Sequence, residues 1–217
     1  MHIAGVTTSV TVLPTEVVAE QQVKQEEKQR IFGIVPNFYV SYLPNAAPLT
    51  SRQKWNLAAH DTFDGMSFVG VSAGAGVEQA ANRYPDYGQG AEGYARRWGA
   101  LYADGRTSDL LDHYVFASLL HQDPRYFYQG TGSTKSRFMH AVGSAFIARS
   151  DSGRNMPNYS YLLGDICSGA ISNLYAPSSE RGAGLVFTNA AIGIAGRSFK
   201  AVVEEFIAKK FTRHAAE

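Results

Sequence analysis

The sequence predicts an all-α protein: a bundle of five or six helices with small-residue packing faces, preceded by an extended or disordered N-terminal tail. Three observations predict it. Beyond Thr50, apolar residues recur at helical rather than alternating spacing. Small residues recur every fourth position in three of those segments. Proline punctuates the chain at helix-length intervals, at Pro85, Pro124, Pro157 and Pro177.

Composition bounds the class. A chain of 217 residues is long enough for one domain with a core plus a tail. Charged residues make up only 18 %, against about 25 % in ordinary soluble chains, and the glycines fall inside periodic segments as well as in turns. That combination favours close helix–helix contact. Lys and Arg number 20 against 19 Asp and Glu, a formal charge of +1, so no global field recruits nucleic acid, and none is expected as a partner. The single cysteine, Cys167, excludes an intramolecular disulfide and any multi-cysteine metal site; in its apolar, small-residue setting it reads as an inert thiol. No window offers about 18 uncharged apolar residues, so no conventional membrane-spanning helix is expected.

Taken in order, residues 1–19 are rich in Thr and Val and suit an extended segment. Glu20–Arg30 (EQQVKQEEKQR) has the composition of a solvated helix or linker with almost nothing to bury. A boundary is therefore placed here, giving a tail over 1–30 and a helical domain over 31–217. Ile31–Leu49 is aromatic and carries Pro36, Pro44 and Pro48; proline removes backbone donors, so this block should wrap over a surface rather than form a central strand. Thr50 or Ser51 can cap a helix with Trp55, Leu57, Ala58 and Phe63 turned inward. A second helical run follows to Ala81, with Gly70 and Gly74 as a small pair.

Ala91, Ala95, Gly99 and Ala103 then line one face of a helix that Gly105 should break. Thr107 or Ser108 can cap its successor, with Leu110, Leu111, Tyr114, Val115 and Leu119 at apolar spacing until Asp123-Pro124. A helix over about Lys135–Arg149 should turn Phe138, Val142 and Phe146 inward. The next, Tyr159–Tyr175, carries Gly164, Ser168 and Ser172 as another four-spaced small stripe. The last runs over about Gly184–Arg213 and ends amphipathic, with Phe199 and Phe206 on its apolar side.

The stripes admit two environments. Small-x-x-x-small faces are the usual helix interface in a bilayer, where packing rather than hydrophobicity holds helices together. In water the same faces let helices of a soluble bundle approach closely. A charge inside an apolar stretch, Asp165 above all, is costly at bilayer depth unless paired.

Candidate chemistry gathers at one helix end, in Asp112-His113 and His121-Gln-Asp123, with Arg125 beside them. His113 and His121 are eight residues apart, about 800° of helical rotation, so they sit within about 80° of one another but more than two turns apart. Local geometry cannot give both to one metal, unlike an i, i+4 pair. His60 and His140 are further polar candidates. The plainer reading has His121 and Asp123 terminating a helix and Arg125 pairing with a carboxylate. No nucleophile elbow, P-loop, dinucleotide fingerprint or zinc-spaced ligand set is present, so no metal or cofactor is expected.

The blocks RIFGIVPNF (Arg30–Phe38), APLTSRQKW (Ala47–Trp55), YGQGAEGYARRWGALYAD (Tyr87–Asp104), LLHQDPRYF (Leu119–Phe127) and LLGDICSGAISNLYAP (Leu162–Pro177) resemble a group of uncharacterised bacterial proteins. The resemblance covers roughly Arg30 to Phe211. It implies an envelope location, periplasm or outer membrane, with a signal peptide ahead of the polar linker, and supplies no activity or catalytic residue. No secretory signal is visible after Met1, which keeps a cytoplasmic location open. The expectation is a non-enzymatic, membrane-associated envelope protein that packs or self-associates through small-residue helix faces, its partners being lipid or further copies. The other reading is a soluble helical enzyme or ligand-binding protein with a polar site around His113, His121, Asp123 and Arg125.

Overall fold

The computed structural model describes residues 14–215; the first part of the expected tail, residues 1–13, lies outside them. The second part is a helix. α1 (Thr15–Glu26) buries Ala19, Val23 and Glu26, spaced four and three apart on one face. The polar linker read from composition is therefore a packed element, and what it buries includes a charge.

The proline-punctuated block does wrap, and it supplies the core in doing so. Phe38, Tyr39 and Leu49 form the apolar cluster with Val23 of α1 and Leu57 of α2 (Ser51–Thr62). Three short sheets hold the block and its neighbours. β1 (Arg30–Ile31) pairs antiparallel with β2 (Val35–Pro36) and, on its other edge, with the C-terminal β8 (Thr212–Arg213). β3 (Val40–Ser41) runs parallel to β5 (Tyr126–Phe127). β4 (Gln122–Asp123) joins the antiparallel pair β6 (Ile147–Ser150) and β7 (Asn155–Pro157). The protein is mostly helical, yet it is not the pure five- or six-helix bundle expected from periodicity. Strands of two to four residues carry no readable period, which is why the sequence did not disclose them.

Helix starts follow local chemistry closely. Thr50 caps α2 in a capping box with Gln53, and Asp64 caps α3 (Gly65–Ala80) through the Met66 N–H. The expected break at Gly105 does not occur. α4 (Gly90–Leu110) runs through it and continues by a π turn (Leu111–Val115) into α5 (Phe116–Leu119). An interior glycine costs only about 1 kcal/mol. The adjoining contacts offset that: Ser172 and Tyr175 donate to the Asp104 carboxylate, and Arg106 pairs with Asp109 at 2.8 Å. Ser108, read as a cap, instead donates to Asp112 one turn on, at 2.9 Å. α6 (Thr134–Gly143), α7 (Tyr159–Ser172) and α8 (Ala183–Phe206) complete the chain, and α8 packs on both α6 and α7.

The facing of these helices departs from expectation in one consistent way. Leu57 and Ala58 are buried as read, but Trp55 and Phe63 of the same segment are exposed. Leu110, Leu119, Phe138, Phe146 and Phe199, all expected inward, are exposed as well, Phe199 at 72 %. What replaces them inside is small or charged. The largest side chains with almost no exposure include Arg97, Lys54, Glu204, Glu205 and Asp112, alongside Phe38 and Leu57. Periodicity located the helices and assumed that the apolar face is the inner one; over much of α3 to α8 it is the outer one.

The three small-residue stripes divide accordingly. Gly164, Ser168 and Ser172 of α7 are buried, and Asp112 lies so close to Gly164 that a Cβ there would collide with its Oδ1. Ala91, Ala95 and Gly99 are exposed, and Ala95, Gly99 and Ala103 line a surface groove that no helix among the described residues fills. Gly70 faces open space, while Gly74 touches Leu101 of α4.

These surroundings predict opposite outcomes for one substitution. G164A should lower stability by about 2–3 kcal/mol through overpacking. G70A and G99A should each raise it by about 0.5–1 kcal/mol through helix propensity. Denaturant midpoints followed by circular dichroism read all three.

Candidate functional site

The residues expected to carry chemistry separate into two places. His121 ends its helical segment with φ 53 and an imidazole 82 % exposed, 3.6 Å from Asp151 in a shallow outer recess. His113, Asp123 and Arg125 instead line one cavity of about 530 Å³ between the β3–β5 pair, the π turn, α6 and α8. His121 therefore shares no site with the other three. His60 is exposed, edge-on to Phe38, and His140 reaches the cavity with Nε2 at 2.8 Å from the Phe127 carbonyl.

Asp123 and Arg125 belong to a buried network that reaches back to α1. The Asp123-Pro124-Arg125 turn folds the guanidinium onto its own neighbour: Arg125 Nε donates to Asp123 Oδ1 at 3.0 Å and Nη2 to Oδ2 at 2.7 Å. Nη1 donates to Glu26 Oε1 at 3.0 Å, and Nη2 also donates to the Ala47 carbonyl at 2.7 Å. One guanidinium thus serves two carboxylates away from water. Burial raises Glu26 to about 7 against the pull of Arg125, and the Asp123 charge pushes it the same way.

A second network of the same stoichiometry forms the opposite wall. Arg197 of α8 pairs with Asp165 of α7 through both terminal nitrogens and with Asp112 of the π turn at 3.3 Å. The guanidinium lies 4.5 Å from the Tyr161 ring centroid, a cation–π contact. Burial, followed by repulsion from Asp165, raises Asp112 to about 8, and burial also raises Asp165. Close approach of α7 and α8 makes this possible. Gly164 admits the Asp112 carboxylate, and a Cβ at Gly193 would stand 2.6 Å from Asp165 Oδ1.

His113 sits between the networks. Its ring stacks on Tyr39 at 4.0 Å between centroids and meets Tyr161 edge-on. Nδ1 is 3.8 Å from Asp109, too far for a hydrogen bond, and has no partner among the described residues. Burial, with help from Lys200 and Arg197, holds the imidazole well below its ordinary pKa, so it is neutral near pH 7. Asp109, Asp112 and His113 stand at i, i+3 and i+4 and share one helix face. Among the described residues, no group of three or more His, Cys, Asp or Glu is arranged to hold a metal ion. The arrangement can accept and donate hydrogen bonds to a small polar molecule and can hold protons on its carboxyls near neutral pH.

Sequence reading placed Asp112 among the candidates but missed Arg197, Lys200 and Glu26 as members of these walls. A signal was present: Asp165 and Arg197 are lone charges in otherwise apolar, glycine-bearing runs, and a lone buried charge requires a partner.

The raised carboxyls set the pH dependence of folding. A carboxyl whose folded pKa exceeds its unfolded value contributes stability while protonated and loses it as pH rises through the folded pKa. His113, with its folded pKa lowered, acts oppositely below about pH 6.5. Stability should therefore fall from about pH 4.5 to about pH 8, the range set by Glu26 and Asp112, with His113 opposing part of the fall below about pH 6.5. D112N should flatten that slope, as measured by urea midpoints across pH.

Comparison with family models, with curated proteins and with solved structures finds no match for this chain.

Proposed function

We propose that this chain is a non-enzymatic helical envelope protein that lies in or on a membrane through its outward apolar helix faces and contacts further copies of itself through the small-residue face of α4. One observation carries the reading: the polarity of the helical layer is inverted. Phe68, Val69 and Val77 of α3, Ile166 of α7, and Phe187, Ile192 and Phe199 of α8 are exposed, while guanidinium and carboxylate groups fill the interior. Scattered apolar exposure is ordinary. Its recurrence along three helices, with charges drawn inward in α7 and α8, is what a lipid environment favours and water does not.

No helix among the described residues is long and apolar enough to cross a membrane, so the reading is of helices embedded along a leaflet or sheltered by assembly rather than of a spanning bundle. The unfilled Ala95–Gly99–Ala103 groove supports self-association, since small residues let a second helix approach closely.

Fractionation of the native host tests this. The protein should sediment with membranes, resist washing with high salt and with carbonate, and be released by detergent. A fully soluble monomer in the wash would overturn the proposal. F187D and F199D should shift the protein toward the soluble fraction while leaving its far-UV circular dichroism intact.

A second reading, a ligand-binding protein, is supported by the cavity of about 530 Å³ and by the partnerless Nδ1 of His113 within it. Mass spectrometry of the natively purified protein before and after denaturation is the check. A stoichiometric small molecule released on unfolding supports this reading, and its absence from protein taken directly from the host removes it.

A further inference from the structure

The membrane reading concerns the helices; a different part of the molecule bears on which lipid it meets. The turn joining β1 and β2 presents Phe32 and Ile34 outward, 62 % and 60 % exposed. Phe32 has φ 52 and Gly33 φ 75, a left-handed conformation that an aromatic residue rarely adopts. The Phe32 ring is held by Phe211, 4.5 Å away between centroids, and the Phe32 N–H donates to the Phe211 carbonyl at 2.9 Å. The apolar tip is thus braced on the C-terminal segment rather than folded back into the core.

That same C-terminal segment is basic. Lys209, Lys210 and Arg213 are exposed, form no salt bridge among the described residues, and have no acidic residue between them. The Arg213 guanidinium lies across Gly33, where a Cβ would stand 3.1 Å from its Nη1. Lys209 stands over the Tyr128 ring at 4.7 Å. Arg213 therefore lies directly against an aromatic and aliphatic tip held by a three-stranded sheet, and Lys209 and Lys210 precede it in the same exposed segment. A tip of this kind can enter the acyl boundary while these cations remain at the level of headgroup phosphates.

We infer that the β1–β2 tip and the Lys209–Arg213 segment form one interfacial anchor that selects anionic phospholipid. The occupant is a bilayer surface bearing net negative charge, rather than a protein groove or a soluble anion. Charge complementarity carries the choice, because zwitterionic headgroups give the three cations no net attraction. The inference rests on the membrane reading and adds to it a point of contact and a lipid class.

Flotation of the purified full chain with two vesicle types tests it. One is phosphatidylcholine alone; the other is three parts phosphatidylcholine to one part phosphatidylglycerol. The anionic vesicles should bind at least about 30-fold more protein at low salt, an advantage that shrinks as salt rises. K209Q/K210Q should reduce binding to the anionic vesicles by about 30-fold, from the loss of two juxtamembrane charges. F32S/I34S should weaken binding to both vesicle types. Equal binding of the native chain to both vesicles would overturn the lipid selectivity and leave the membrane reading standing. No binding to either would overturn both. The vesicle comparison needs no variant, and circular dichroism of the two double variants separates lost anchoring from lost folding.

Discussion

The fold depends on sharing one guanidinium between two buried carboxylates, and it does this twice, with a buried Arg125 and a half-buried Arg197. Arg125 ties Glu26 of α1 to the Asp123 turn across 99 residues of sequence, and Arg197 ties α8 to Asp165 of α7 and Asp112 of the π turn. A charge removed from water costs several kcal/mol unless geometry and further hydrogen bonds compensate it. Here Ala47 and Ser108 supply such bonds. Two acids against one base leave each cluster with a surplus negative charge when both acids ionise. Burial therefore favours retaining a proton on Glu26 and on Asp112.

Several glycines take their meaning from these clusters. Four-residue spacing of small residues ordinarily implies backbone against backbone, and at Gly169, against Val186, that is what occurs. At Gly164 and Gly193 the close neighbour is a carboxylate. The missing side chains there make room for ionisable groups between helices, so part of the stripe pattern reflects the polar interior rather than helix association. The α4 stripe differs: its face is left uncovered by the rest of the described chain.

Arg97 shows the same tendency without any acid. Its guanidinium donates to the carbonyls of Arg83, Tyr84, Gly88 and Gly93 and to the Gln79 side chain, and fixes the loop between α3 and α4 around itself. Lys54 likewise reaches the Ala117 carbonyl and Asp151 from a fully buried position. With long cations occupying the interior, large apolar side chains on the same helices have little room inside. The outward apolar faces and the inward charges are thus one arrangement, and it underlies both the proposed membrane contact and the polar cavity.

The sequence by itself determined where several helices begin, since α2, α6, α7 and α8 start within a residue or so of their expected positions. The ends were less legible: α6 stops at Gly143 ahead of β6 and α8 at Phe206 ahead of β8, where pairing with distant strands takes over. Capping at Thr50 depends on chemistry within a few residues, so it is legible locally. The helix expected to run to Asp123-Pro124, by contrast, already ends at Leu119, where Gln122–Asp123 pairs as a strand with Arg149–Ser150. Gly105 was misread because its cost is small beside contacts from α7 that no local window contains. Of the candidate site, His113, Asp123 and Arg125 were found from their clustering in sequence, while Glu26 and Arg197 were not, since their partners lie 99 and 85 residues away. Tertiary structure alone decided which face of each helix turns inward. Periodicity fixes only that two faces differ; which one is buried follows from the partners each can find, and here the charged and small faces found them.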